Sequence, residues 1–186
     1  MLNVRRFVSL GIAALMLLLS CGAFFTSTGV ASAHAGVSNR MASVSCSNYY
    51  CDGMDPISTG CSNDAITPPN ESSGPYYLGG NLTVTISLRF SAACGAAWAL
   101  EVFNQPVPSN VRGDGRLWRK DTNSLYNGDS VSCESPGGNG EILPGQTACY
   151  SAMLGDNNNS TSCNARGYVS TNSGSSWTLP VQTAYY

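Results

Sequence analysis

Where the cysteines fall limits this chain more than any other feature. Seven of them, Cys46, Cys51, Cys61, Cys94, Cys133, Cys149 and Cys163, follow an export-type leader, and the whole chain has one histidine. Exported chains favour disulfides, whereas structural zinc prefers Cys-x2–4-Cys pairs or Cys/His mixtures. Cys46-x4-Cys51 has neither a second such pair nor a histidine beside it, so stapling is expected and a resident metal or cofactor is not.

The leader begins MLNVRR, continues through the apolar run FVSLGIAALMLLLS and reaches a small-residue site at Ala31-Ser32-Ala33. That order marks a cleaved secretory peptide, and the run of about 14 apolar residues is shorter than a bilayer span. Residues 1–33 are therefore expected to be removed, leaving about 153 residues that start at His34, secreted and free of the membrane. An alternative is that Leu18-Leu19-Ser20-Cys21 directs lipidation of Cys21. Gly22-Ala23-Phe24-Phe25 stays apolar, however, where lipoproteins turn polar.

Without the leader's two arginines the chain keeps seven basic residues against eleven acidic ones, a formal charge of −4. A nucleic-acid surface needs clustered positive charge, and anionic lipid needs the same, so neither is an expected partner. Few charges and many Gly, Ser, Asn and Thr suit a loop-rich extracellular β protein.

Residues 34–45 lack periodicity and read as an amino-terminal tail. The sharper expectation is a segment that adds a strand to a partner's sheet edge, with His34, Val37, Arg40, Met41 and Val44 in contact. Residues 46–65 are dense in turn residues. Asp52, Asp55 and Asp64 invite comparison with a calcium site, but the EF-hand spacing is absent, and aspartates in Asp-Gly and Asp-Pro turns usually bond their own backbone.

Residues 66–80 read as a Pro/Gly/Ser loop. From Leu82 the period becomes two: Leu82, Val84, Ile86, Leu88 and Phe90 alternate with Thr83, Thr85, Ser87 and Arg89, the strongest strand signal present. Residues 98–103 read as the returning strand, with Trp98, Leu100 and Val102 on one face. Residues 104–145, broken by prolines and glycines, read as a long surface insertion with one short strand at 116–120. Residues 148–154 read as a strand, and 167–171 with 177–183 as a terminal hairpin. The expected fold is all-β: a small, disulfide-stabilised antiparallel sandwich or open barrel with long loops, one domain over 46–186. Seven cysteines allow three bridges at most. Cys61–Cys94, Cys46–Cys51 and Cys149–Cys163 are the preferred pairs, although spacing alone does not fix connectivity.

Three blocks carry a family resemblance: residues 51–56 (CDGMDP), residues 59–65 (TGCSNDA) and residues 88–99 (LRFSAACGAAWA). On these the chain resembles the YjfA-like secreted proteins of Gram-positive bacteria, which have no known function. It departs from them at Leu100, where members often carry a basic residue, and in a longer segment 107–149. The resemblance implies a compact extracellular β domain with no catalytic residues to carry over. The chain is also similar to the small bridging subunits of actinobacterial umbrella toxin particles. There a secreted domain joins a lectin-like subunit to a stalk, and the similarity implies secreted partners of those kinds.

His34, at the mature terminus, leaves no base for a Ser-His-Asp or Cys-His arrangement. A carboxylate pair of the glycosidase kind remains conceivable among the acidic residues. A non-catalytic binding module is the leading expectation. A wall- or sugar-binding protein is the alternative, with Tyr49-Tyr50, Tyr76-Tyr77 and Tyr185-Tyr186 as stacking platforms.

Overall fold

A computed structural model describes residues 43–121, 129–156 and 161–186. Two single-turn 3-10 helices, Asn48–Cys51 and Cys61–Asn63, precede nine strands: β1 Ser72–Gly79, β2 Leu82–Ser91, β3 Ala96–Phe103, β4 Arg112–Asp121, β5 Asp129–Ser132, β6 Ala148–Tyr150, β7 Leu154–Gly155, β8 Thr161–Ser170 and β9 Thr178–Gln182. They form two antiparallel sheets, one ordered β1-β2-β3-β6 with β7 also on β3, the other β5-β4-β8-β9. The sheets pack face to face as an unclosed sandwich, which is the fold class the alternation implies. Among the described residues no helix is long and apolar enough to cross a membrane.

The alternation in β2 places Leu82, Val84, Ile86 and Leu88 in the core between the sheets, all nearly or fully buried. In β3 the sandwich-facing set is Ala97, Ala99, Glu101 and Phe103, fixed by register against Phe90, Leu88, Ile86 and Val84. The face carrying Trp98, Leu100 and Val102 is thus the outer one. Trp98 is nonetheless buried there, because the turn-rich segment before β1 folds over it together with Met153. This second, smaller core explains why a strand can be apolar on the face turned away from the sandwich.

One segment expected to be a loop forms a strand, and the short strand expected at 116–120 is twice as long, Arg112–Asp121. β1 runs through Gly74-Pro75, a cis peptide, and tolerates proline because it is an edge strand. A methyl on Gly74 would lie 2.7 Å from the Val84 carbonyl oxygen, so only glycine lets β1 approach β2 there. β4 lies inside the expected insertion and is central in its sheet, paired with β8 from Arg112–Ser170 to Asp121–Thr161. The expected strand over 148–154 is broken instead. The Ser151 hydroxyl accepts from the Ala99 amide, and β6 and β7 meet β3 separately.

Candidate functional site

The candidate site is the knot formed by residues 43–65, which packs against the first sheet over Trp98. Its turns follow from its aspartates, each engaged separately. Asp55 Oδ1 accepts from the amides of Ile57 and Ser58, the side-chain turn that an Asp-Pro sequence favours. Asp64 reaches forward to Ser91 Oγ and the Ala93 amide, so it clamps the turn between β2 and β3. Asp52 accepts two bonds from Arg119, at 2.9 and 2.8 Å, and a third from the Gly155 amide at 2.7 Å. The three carboxylates therefore serve turn and anchoring roles and form no shared cation cage.

Arg119 is the anchor on the sandwich side. Its side chain is fully buried, bonds Asp52 and Asp129, and lies under the Tyr49 ring at 4.8 Å. Burial opposes its charge, but the two aspartates outweigh that and raise its pKa. A knot residue, a strand β4 residue and a strand β5 residue are thereby joined at one guanidinium. Backbone bonds reinforce the junction: Asn48 to Cys94, and Gly53 and Met54 with Met153.

Two disulfides lock the knot, Cys46–Cys51 within it and Cys61–Cys94 to the β2–β3 turn. The third is Cys133–Cys149, so the expected Cys149–Cys163 bond is not made. Cys133 follows β5 and lies in the opposite sheet from Cys149, so this bond staples the two sheets. Gly115 makes room, since a Cβ there would sit 3.4 Å from Cys133 Sγ. Cys163 is a buried free thiol directly across from Arg119 on β8. Burial pushes its pKa well above the ordinary thiol value, and the neighbouring Asp156 carboxylate adds to this. Asp156 itself is raised to about 6, by burial first, with hydrogen bonds from Cys163 and Thr161 pulling the other way.

Of the expected partner-contacting residues, His34, Val37, Arg40 and Met41 lie outside the described residues. Val44 is described and is not free: it packs on the knot's cysteine cluster, and the adjacent Ser45 amide bonds the Thr59 carbonyl. Residues 44 and 45 are thereby tied to the knot by backbone and apolar contacts. The tyrosine pairs split in two of three cases. Tyr49 covers Arg119 while Tyr50 is 84% exposed, and Tyr186 meets Phe90 while Tyr185 points outward to Arg166.

Two features escaped sequence reasoning. Glu101 is fully buried in the main core with both carboxyl oxygens unpartnered, its pKa pushed well up by burial and then by Asp114. Gly113, Gly115 and Gly167 on the facing sheet clear its space; a methyl at Gly113 would reach within 3.2 Å of Oε1. The only available signal was a glutamate in phase with the small residues Ala97 and Ala99. The second feature is a ladder on the outer face of the second sheet. Arg116 stacks on Tyr168 at 4.7 Å and Arg166 on Trp118 at 4.5 Å, the two arginines being direct cross-strand neighbours. A shallow hollow of about 420 Å³, lined by residues such as Leu82, Pro106, Pro108 and Thr171, carries no titratable side chain.

Residues 49–165 match the family model described as Protein of unknown function (DUF2690), a stretch that runs from the knot through β8. The chain is similar to Uncharacterized protein YjfA of Bacillus subtilis (strain 168), 30% identical over 105 residues. That alignment spans 56% of this chain and 62% of the relative. No solved structure matches. The match covers more than half of the chain, from the first 3-10 helix into β8, and leaves out Cys46 and β9, so the chain belongs to the DUF2690 family.

Proposed function

We propose that this protein is a secreted, non-catalytic docking module. It joins other extracellular proteins by adding residues 34–42 to a partner as an extended segment. In this reading the partners are a lectin-like subunit and a stalk or toxin subunit of a particle used in bacterial competition. One observation carries the proposal: the chain enters the domain at a fixed root, with Val44 packed, Ser45 bonded to Thr59 and Cys46 bridged to Cys51. A segment leaving such a root reaches its partner from a defined point, which limits the orientational freedom lost on binding. The carboxylates of Asp52, Asp55, Asp64 and Asp129 are each engaged in an anchoring or turn bond, and in this reading their roles are structural.

The test is capture from culture supernatant followed by mass spectrometry, comparing the mature protein with a form lacking residues 34–42. The deletion stops short of Val44 so that the knot survives. Loss of a stoichiometric set of co-secreted proteins, with an unchanged unfolding midpoint, is expected. Capture of the same set at equal yield refutes the tail's role.

A second reading, wall or carbohydrate binding, draws support from the Arg–aromatic ladder and from Tyr50 and Tyr77, which are 84% and 73% exposed. Retention of the tail-deleted protein on purified peptidoglycan, reduced by W118A, distinguishes it from the first.

A further inference from the structure

The knot's four cysteines make one sulfur cluster rather than two separate bonds. Cys46, Cys51, Cys61 and Cys94 place all four Sγ atoms within 4.8 Å of one another, and Cys46 Sγ lies 3.7 Å from Cys61 Sγ across the two disulfides. All four residues are buried, the most exposed at 8%. A tetrahedral tetrathiolate zinc centre has Zn–S bonds of about 2.3 Å, which sets its sulfurs roughly 3.8 Å apart. The spacing between the two bridges already falls near this value. Only the sulfurs within each bridge must separate.

The scaffold does not depend on the sulfur–sulfur bonds alone. Ser45 bonds Thr59, Asn48 bonds Cys94, and Asp64 holds the Ser91–Ala93 turn. These contacts keep the three contributing segments together when the bridges open. The surroundings also suit a buried thiolate centre. Trp98 and Met153 wall it off from water, and the Thr59 hydroxyl, which bonds the Asp55 carbonyl at 2.8 Å, lies 3.2 Å from Cys61 Sγ, in place to serve a ligand as an outer-shell group. Sequence spacing hides the arrangement, because the second pair of ligands is drawn from positions 33 residues apart.

We propose that this cluster is a redox-dependent metal site: with both bridges reduced, the four thiolates bind one zinc ion in the space the disulfides occupy. Two equivalents of a dithiol supply four electrons and four protons, turning two disulfides into four thiols and the dithiol into its cyclic disulfide. Zinc then displaces four protons and forms four Zn–S bonds. The proposal is independent of the docking function.

The experiment uses the mature protein, oxidised or reduced with a phosphine that brings no competing thiol, titrated with Co2+ and then displaced by Zn2+. In reduced protein, one equivalent of Co2+ is expected to give thiolate-to-cobalt charge-transfer and tetrahedral visible bands; oxidised protein gives neither. Zn2+ at one equivalent restores the folded circular dichroism spectrum to any reduced protein that has lost it. A variant without Cys133 and Cys149 keeps the bands. C61S weakens binding by more than the roughly 10–100-fold that losing an outer-shell partner costs. Absence of thiolate–cobalt bands, a reduced chain left unfolded by Zn2+, or unchanged affinity in C61S each overturns the proposal.

Discussion

Glu101 shows how a single side chain can oppose the fold that contains it. It sits opposite Ile86 on the sandwich face of β3, fully buried, and burial holds its carboxyl in the protonated form. In the unfolded chain it ionises near the ordinary glutamate value of about 4.3. Its folded-state pKa is raised, so its contribution favours the fold below that value and is lost as pH rises toward the folded one. Replacing it with glutamine, of similar shape but not titratable, is expected to raise the urea midpoint relative to the parent at neutral pH. The advantage grows with pH by up to about 1.4 kcal/mol per unit, the limit for one proton. A gap that stays constant between pH 5 and 8 contradicts this. Glu101 was also where the sequence reading slipped. Large apolar residues in β3 lie at Trp98, Leu100 and Val102, and nothing local reveals that the knot covers that face while three facing glycines accept a glutamate on the other.

At the scale of elements, β2 was legible because its two faces differ sharply in polarity, and its partner follows by register. β1 was not, since its proline and glycine carry no alternation, and of β4 only 116–120 was, because its first arginine and glycines hide the rest. Those residues are there for close strand approach and for the outer-face ladder. The knot was legible as turns but not as an anchor, because Asp52 and Arg119 are 67 residues apart. Its two disulfides contribute unequally. Cys61–Cys94 closes a 33-residue loop and Cys46–Cys51 a 5-residue one, so the chain-entropy model assigns about 3–4 and about 2 kcal/mol. Urea titration of the C61A/C94A and C46A/C51A double variants should give losses in that order. Equal losses would show that the short bridge acts mainly by packing Val44 and the knot against Trp98. The misplaced third bond follows from the fold: the Cys133 amide bonds the Gly115 carbonyl of β4 and so brings Cys133 to Cys149, whereas Cys163 is held across from Arg119 on β8.

For the folded domain as a whole, the buried acids set an unusual pH response. Three carboxyl groups are raised above their ordinary values, Glu101, Asp114 and Asp156, in each case with burial as the largest cause. Each is stabilising below its unfolded pKa, near 4, and that stabilisation disappears as pH rises through the raised folded value, about 6 for Asp156. Net charge acts in the same direction, because a chain with more acidic than basic residues loses self-repulsion as pH falls. The urea midpoint is therefore expected to rise as pH drops from 8 to about 5, the reverse of ordinary acid weakening. The E101Q/D156N double variant should flatten the curve, most clearly around pH 6 where Asp156 titrates in the fold, since it removes two of the raised carboxyls at once. A parent midpoint that falls steadily across the same range contradicts this, because stabilisation by acids of raised pKa can only grow as pH drops. The sign of that slope thus decides whether the acids the domain shelters from water govern its response to pH.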